Sequence, residues 1–311
     1  MTVGTSSPAL VEADIDRYGS DARVSALADY VELAALSGYR VTRARLQDLI
    51  VDNEWVRRPT RRYLLPDDVE DDPESWADAV FSMLSEREAV LGDLYPFVEQ
   101  GRALKLKTPG FSRLDSPYLA LLAITVVHAW ELPCATPAES TLESVVASTL
   151  GQLGISAVGI GATDRGTGFV DALAFGGAAL ALRPMIDPRP RSRSAKDAGV
   201  DTLAGVVWRD YRPAGHWLFI GQVTVGKSQS WREKLNQPDA PRWAKFLQEP
   251  LHPQVFLAIP HHAQDDHIRD LMAGQRGIII DRLRLVGNKP ENTPAERSLI
   301  EAMLDASVTG P

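Results

Sequence analysis

The chain has 311 residues, 44% hydrophobic and 24% charged, with a formal net charge of −8. That composition describes an ordinary globular protein, long enough for one large domain or two modest ones. It speaks against a disulfide scaffold or a membrane protein. Cys134 is the only cysteine, and the longest apolar run, Tyr118 to Trp130, falls short of the ~18 residues a membrane span needs.

The opening MTVGTSSPALVEADID has no basic region followed by a hydrophobic core, so a secretory signal is not expected. The reading is a cytoplasmic protein with no membrane partner. Its charge is uneven. Pro66 to Gln100 carries eleven acidic residues and one basic, a net of −10, whereas Leu182 to Lys245 carries twelve basic and six acidic, a net of +6. Binding to a polyanion depends on local rather than total charge, so the second segment can still meet nucleic acid.

In chain order, apolar residues recur at three- and four-residue spacing over Ala26 to Leu36 and Thr42 to Val51, around the turn Ser37-Gly38-Tyr39. The pattern fits a helix-turn-helix, with Arg57, Arg58, Arg61 and Arg62 after it, but it fits a helical hairpin packed on the main domain better. A helix is expected over Trp76 to Val90. The composition loosens between Leu104 and Leu114, which sets a boundary between an N-terminal helical region, 1–108, and an α/β domain, 109–311.

Beyond the boundary, helices are expected over Ser116 to Trp130, over Thr136 or Ser140 to Leu153 with Glu143 between apolar neighbours, and over Phe169 to Leu182. Gly154 to Gly168 reads as strand and loop. A Pro/Arg/Ser stretch holds Arg183, Arg189, Arg191 and Arg193 just ahead of the apolar runs Leu203 to Trp208 and Trp217 to Val225, which read as a hairpin. Helical signals follow at Ser228 to Leu235 and Trp243 to Leu247. Strands are expected over Gln254 to Ile259 and Gly277 to Leu285, with a last helix over Thr293 to Leu304. Helices alternating with strands give an α/β class with a mixed central sheet flanked by helices.

The chemistry concentrates between Lys196 and Lys234. On the hairpin, Asp201 at the start of one strand and Gln222 on the next converge, and Lys234 arrives from the following helix. A carboxylate, an amide oxygen and an ammonium around one point suit a hard divalent cation and a phosphate. A competing signal is GQVTVGKS, Gly221 to Ser228, which satisfies GxxxxGK[ST], with Asp281 after Ile280 as a metal-holding carboxylate. Its Val223-Thr224-Val225 favours a continuing strand, and the 83 residues after Ser228 are too few for a nucleotide-hydrolysing core. His261, His262 and His267, with Asp265 and Asp266, invite a second metal reading. Adjacent histidines point apart, and no other cluster completes a tetrahedral set.

Lys196-Asp197-x-Gly-x-Asp201, a strand to Trp208, then Phe219-Ile220-Gly221-Gln222 and Trp231-x-x-Lys234 resemble the restriction-endonuclease-like PD-(D/E)XK nuclease superfamily, over about Leu142 to Leu285. The resemblance implies a Mg²⁺- or Mn²⁺-dependent DNA endonuclease, with Asp201 as central metal ligand, Gln222 as the second and Glu143 as a supporting carboxylate. Thr224 stands where the family's lysine belongs, two residues after Gln222. Lys234 is the candidate to supply that ammonium and Lys227 the reserve. Arg189, Arg191, Arg193, Lys196 and Lys227 are expected to contact nucleic acid. A bacterial restriction or anti-phage effector is implied, with a protein partner or a homo-oligomer. The reading from another class is a non-catalytic adaptor or sensor built on the same fold.

Overall fold

The computed structural model describes residues 15–53, 55, 72–107, 111–160, 168–186, 188, 199–208, 212, 214–274 and 276–308. Its helices start where local chemistry lets them. Ser116 accepts from Leu119 N at 3.2 Å ahead of Pro117, Thr42 from Arg45 N at 3.2 Å, and Asp239 from Arg242 N at 3.2 Å. Each satisfies an amide that the first helical turn leaves without a partner.

The N-terminal part comprises α1 (Arg23–Leu36), α2 (Arg43–Asp52), α3 (Pro73–Leu91) and the hairpin β1 (Phe97–Gln100) with β2 (Ala103–Leu106). Then come α4 (Pro117–Ala129), α5 (Ala138–Gln152), β3 (Ser156–Gly159), α6 (Phe169–Ala179), β4 (Thr202–Gly205) and β5 (Leu218–Val223). The chain continues with α7 (Trp231–Asn236), α8 (Ala240–Leu247), β6 (Gln254–Ala258), α9 (Asp265–Met272), β7 (Ile278–Ile280), α10 (Arg282–Asn288) and α11 (Pro294–Val308). The class is mixed α/β. Among the described residues no helix is long and apolar enough to cross a membrane.

One open sheet organises the molecule, in the order β3-β4-β5-β6-β7. β3, β4 and β5 are antiparallel neighbours, with Thr202 opposite Gly159 on one side and Gly221 on the other. β5, β6 and β7 run parallel, which requires crossovers, and α7 with α8 and then α9 supply them.

Side chains alternate across the sheet and build two cores. Phe219, Phe256, Ala258 and Ile280 face a core shared with α1, α3, α4, α5, α10 and α11. Ile220, Leu203, Leu257 and Ile279 face a second core with Phe169, Trp231, Trp243 and Leu271. The first core runs across position 108: Leu33, Phe81 and Phe97 lie in it beside Tyr118, Ile124 and Leu299. α1 is buried from Ser25 to Leu36, and α2 buries Leu46, Leu49 and Ile50.

A charged network threads this core. Arg87 Nη1 lies 2.7 Å from Asp29 Oδ1 and 2.9 Å from Glu32 Oε1, and Arg282 pairs with both oxygens of Asp29 at 2.7 Å. Tyr118 and Tyr95 donate to Glu32, and Tyr18 donates to Asp29. Two guanidiniums balance two carboxylates, which is how charge tolerates full burial.

Three elements differ from the sequence reading. The hairpin of β1 and β2, for which the sequence reading had no element, runs into the start of the loosened stretch Leu104 to Leu114; it is closed by Gly101 and Arg102, both at positive φ, as a type I′ turn requires. The expected strand from Gly277 to Leu285 stops at Ile280, because Asp281 accepts from Arg284 N at 3.2 Å and opens α10. The stretch after Pro260, to which the sequence reading assigned no helix, contains α9, with Asp265 and Asp266 in its first turn, where negative charge suits the helix dipole.

Candidate active site

Asp201 immediately precedes β4 and is fastened to β5 on either side of Gln222. Its amide donates to Gly221 O at 2.8 Å, and its Oδ2 accepts from Val223 N at 2.9 Å. On the other side, Ile160 N donates to Asp201 O at 2.7 Å. The carboxylate is thus positioned by backbone on both flanks.

Gln222 lies on the sheet face of Leu218 and Ile220, and alternation from Leu203 puts Asp201 on that face too. Gln222 is only 2% exposed, and its buried Oε1 has no hydrogen-bond partner among the described residues. Gly221, one residue earlier, faces the other core, where a Cβ would overlap the Phe256 ring. Only glycine lets β5 pass there.

Glu143 comes from α5, on the opposite face. Its Oε2 is 3.5 Å from where a Cβ on Gly159 would stand, and the Asp201 carbonyl oxygen is 4.0 Å from the same point. The Glu143 carboxylate and the Asp201 backbone therefore both border Gly159, at ordinary contact distance from that point.

Lys234 lies on α7, which packs on the second-core face through Trp231 and Leu235. Gln237 N donates to Lys234 O at 3.2 Å, and Gln237 O is 3.2 Å from a Cβ placed on Gly199. The end of α7 therefore abuts the turn two residues before Asp201. Lys227 has a different setting. Its carbonyl accepts from Ser230 N and Oγ, in a loop whose Gln229 Nε2 donates to Ser20 Oγ at 3.0 Å. Thr224 Oγ1 accepts from Gly226 N at 3.1 Å and shapes the turn out of β5. Arg189, Arg191, Arg193 and Lys196 lie outside the described residues, as do Arg57, Arg58, Arg61 and Arg62.

The phosphate-loop geometry is not formed. Gly221 and Gln222 are strand residues, Val223 N is bound to Asp201, and Thr224 N donates to Ala258 O at 3.0 Å. The amides of Val223, Thr224 and Gly226 are thus already engaged, the last by Thr224 Oγ1 at 3.1 Å. Asp281 caps a helix instead of ending a nucleotide site.

The histidines separate. His261 Nε2 meets Val225 O at 3.3 Å, His262 Nδ1 accepts from Arg87 Nε at 3.2 Å, and His267 stacks on Trp231 at 5.3 Å between centroids. Among the described residues no group of three or more His, Cys, Asp or Glu side chains gathers to hold a metal. Asp201 and Gln222 lie on one face of neighbouring strands, and Glu143 approaches Gly159 from the other face.

Comparison with family models, curated proteins and solved structures returned no match for this chain. The chemistry is therefore argued from the site itself. Sequence spacing proposed Asp201, Gln222 and Glu143, and the structure puts Asp201 and Gln222 on neighbouring strands; the spacing did not point to the Gly159 position or the Val223 amide. Both act through backbone and space, and neither leaves a residue-type signature.

Proposed function

We propose that the protein is a metal-dependent endonuclease that hydrolyses DNA phosphodiester bonds. One observation carries the reading. Asp201 is held across the Gln222 position while Gln222 Oε1 is buried with no hydrogen-bond donor among the described residues. An oxygen left so costs about 1–3 kcal/mol, and a hard cation shared with an adjacent carboxylate removes that cost.

The coarse architecture supports the same reading: β3, β4 and β5 antiparallel and β5, β6 and β7 parallel form a mixed central sheet flanked by helices, as the resemblance implies.

Asp201, Gln222 and Glu143 offer oxygen ligands that fit Mg²⁺ or Mn²⁺. Such an ion supplies charge neutralisation at the phosphate and acidification of a water. Asp201 holds its place because its carboxylate is tied to Val223 N. Lys234, on the helix abutting the Gly199 turn, is the group assigned to orient the attacking water. Protein-partner control within a bacterial restriction or anti-phage system belongs to the proposal through the resemblance.

One observation favours a second reading, a nuclease-like adaptor without catalysis. Thr224 occupies the usual lysine position, and its hydroxyl is used in a turn. Metal-dependent cleavage of DNA separates the two.

A further inference from the structure

At the end of the β4–β5 hairpin opposite Asp201, two indoles stand in solvent. Trp208 is 44% exposed and Trp217 62%, and their rings meet edge to face with centroids 5.7 Å apart. Large aromatics left this open in a protein with two filled cores mark an interaction surface.

Their base is rigid. Val206 N donates to Trp217 O at 3.0 Å and closes the hairpin just below the pair. Next to Trp217, the buried Glu249 takes Gly215 N at 2.9 Å and His216 N at 3.4 Å, and its Oε1 lies 2.5 Å from His216 Nδ1. A buried carboxylate thus fixes the backbone that presents Trp217, so ordering costs little when a ligand arrives.

The charge favours a polyanion. The segment from Leu182 to Lys245, which contains both tryptophans, carries a net of +6, and Arg212 lies between them in sequence. Flat aromatic faces carried on a segment of net positive charge suit unpaired nucleobases, because every base has a face to stack and every nucleotide a phosphate to neutralise.

We infer that Trp208 and Trp217 form a base-stacking platform for single-stranded DNA, which feeds an unpaired strand along the hairpin toward Asp201. The inference rests on the nuclease reading for its direction and on the tryptophan pair for its existence. Trp208 stands seven positions after Asp201 in sequence, so at strand rise the platform lies roughly 20 Å from the site. That is about six nucleotides at stacked spacing.

The test is fluorescence anisotropy of the full-length protein with a labelled 12-nucleotide oligothymidylate, in EDTA at low salt. The same strand with abasic positions and a duplex of equal length are the comparison ligands. Trp208→Ala and Trp217→Ala should each weaken oligothymidylate binding about 10- to 100-fold. Trp217→Phe should keep most of the affinity, and the abasic strand should bind the native protein as weakly as the alanine variants bind the intact one. Folded alanine variants that bind like the native protein would overturn the inference, as would equal affinity for intact and abasic strands. A dimer in light scattering that dissociates in both alanine variants, with oligonucleotide binding unchanged, would reassign the patch to self-association. Binding in EDTA needs no cleavage. Stacking without any nuclease activity leaves this inference standing and removes the nuclease reading, and the converse result does the opposite.

Discussion

Asp29 and Arg282, 253 positions apart in the chain, meet through two 2.7 Å contacts with neither side chain exposed. Burial by itself would push the Asp29 carboxyl upward. The guanidiniums of Arg282 and then Arg87 overcome it and hold the group far below the usual carboxylate range. A depressed folded value stabilises above the unfolded value near 4 and is lost as pH falls from there toward the folded one. Arg282→Met should cost about 3–5 kcal/mol in urea unfolding at pH 7, because it strands a buried carboxylate. Replacing Asp29 by Asn in the same chain should recover part of that loss.

His261 gives a separate pH window. Burial, reinforced by the charge of Arg282, pushes its imidazole down to about 4. The unfolded chain, with an ordinary value near 6.5, then binds a proton that the fold refuses, so stability is full above that value and declines toward pH 4. At about 1.4 kcal/mol per unit, the decline should approach 3 kcal/mol. Urea midpoints at pH 7 and 4.5 for the native protein and for His261→Asn check this. A slope as steep in the variant would place the titration elsewhere.

Gln222 should show a conflict between stability and function. Gln222→Leu removes the unpaired buried oxygen and should raise stability by about 1–2 kcal/mol while abolishing metal-dependent cleavage. Gln222→Glu adds a carboxylate to the donor set and should tighten Mg²⁺ or Mn²⁺ binding in calorimetry, at some cost to the metal-free fold. Equal metal affinity in all three proteins would remove Gln222 from the site.

The two lysines divide by position. Lys234→Ala should lower the cleavage rate by about 10²-fold or more, as expected for loss of a group that assists proton transfer. Lys227→Ala, in the loop against Ser20, should change it little. The reverse order would exchange their roles.

The alternating apolar runs made β4, β5 and β6 legible, because a strand packed on both faces shows itself in its side chains. Asp201 and Gln222 were legible for the same reason, since register follows from where the two runs start. Gly101-Arg102 carries no Asn-Gly or Asp-Gly signature, and the strands it joins have only four residues each, so β1 and β2 were not recognised as strands. Ile278 to Ile280 reads as the start of a longer strand until Asp281 is recognised as a cap, a choice that depends on the tertiary space α10 fills. The Asp29–Glu32–Arg87–Arg282 network was hidden altogether. Each member reads as a surface charge within its own helix, and only packing brings them together.

The central claim is metal-dependent hydrolysis of DNA at Asp201. It is tested by incubating supercoiled plasmid at low salt with the native protein and with Asp201→Asn, in Mg²⁺, Mn²⁺ or EDTA, after confirming that both proteins unfold cooperatively. The account predicts nicked and linear products with the native protein and either metal, none in EDTA, and none with Asp201→Asn. Cleavage by the folded variant equal to that of the native protein would contradict the site, and intact plasmid under every metal would favour the adaptor.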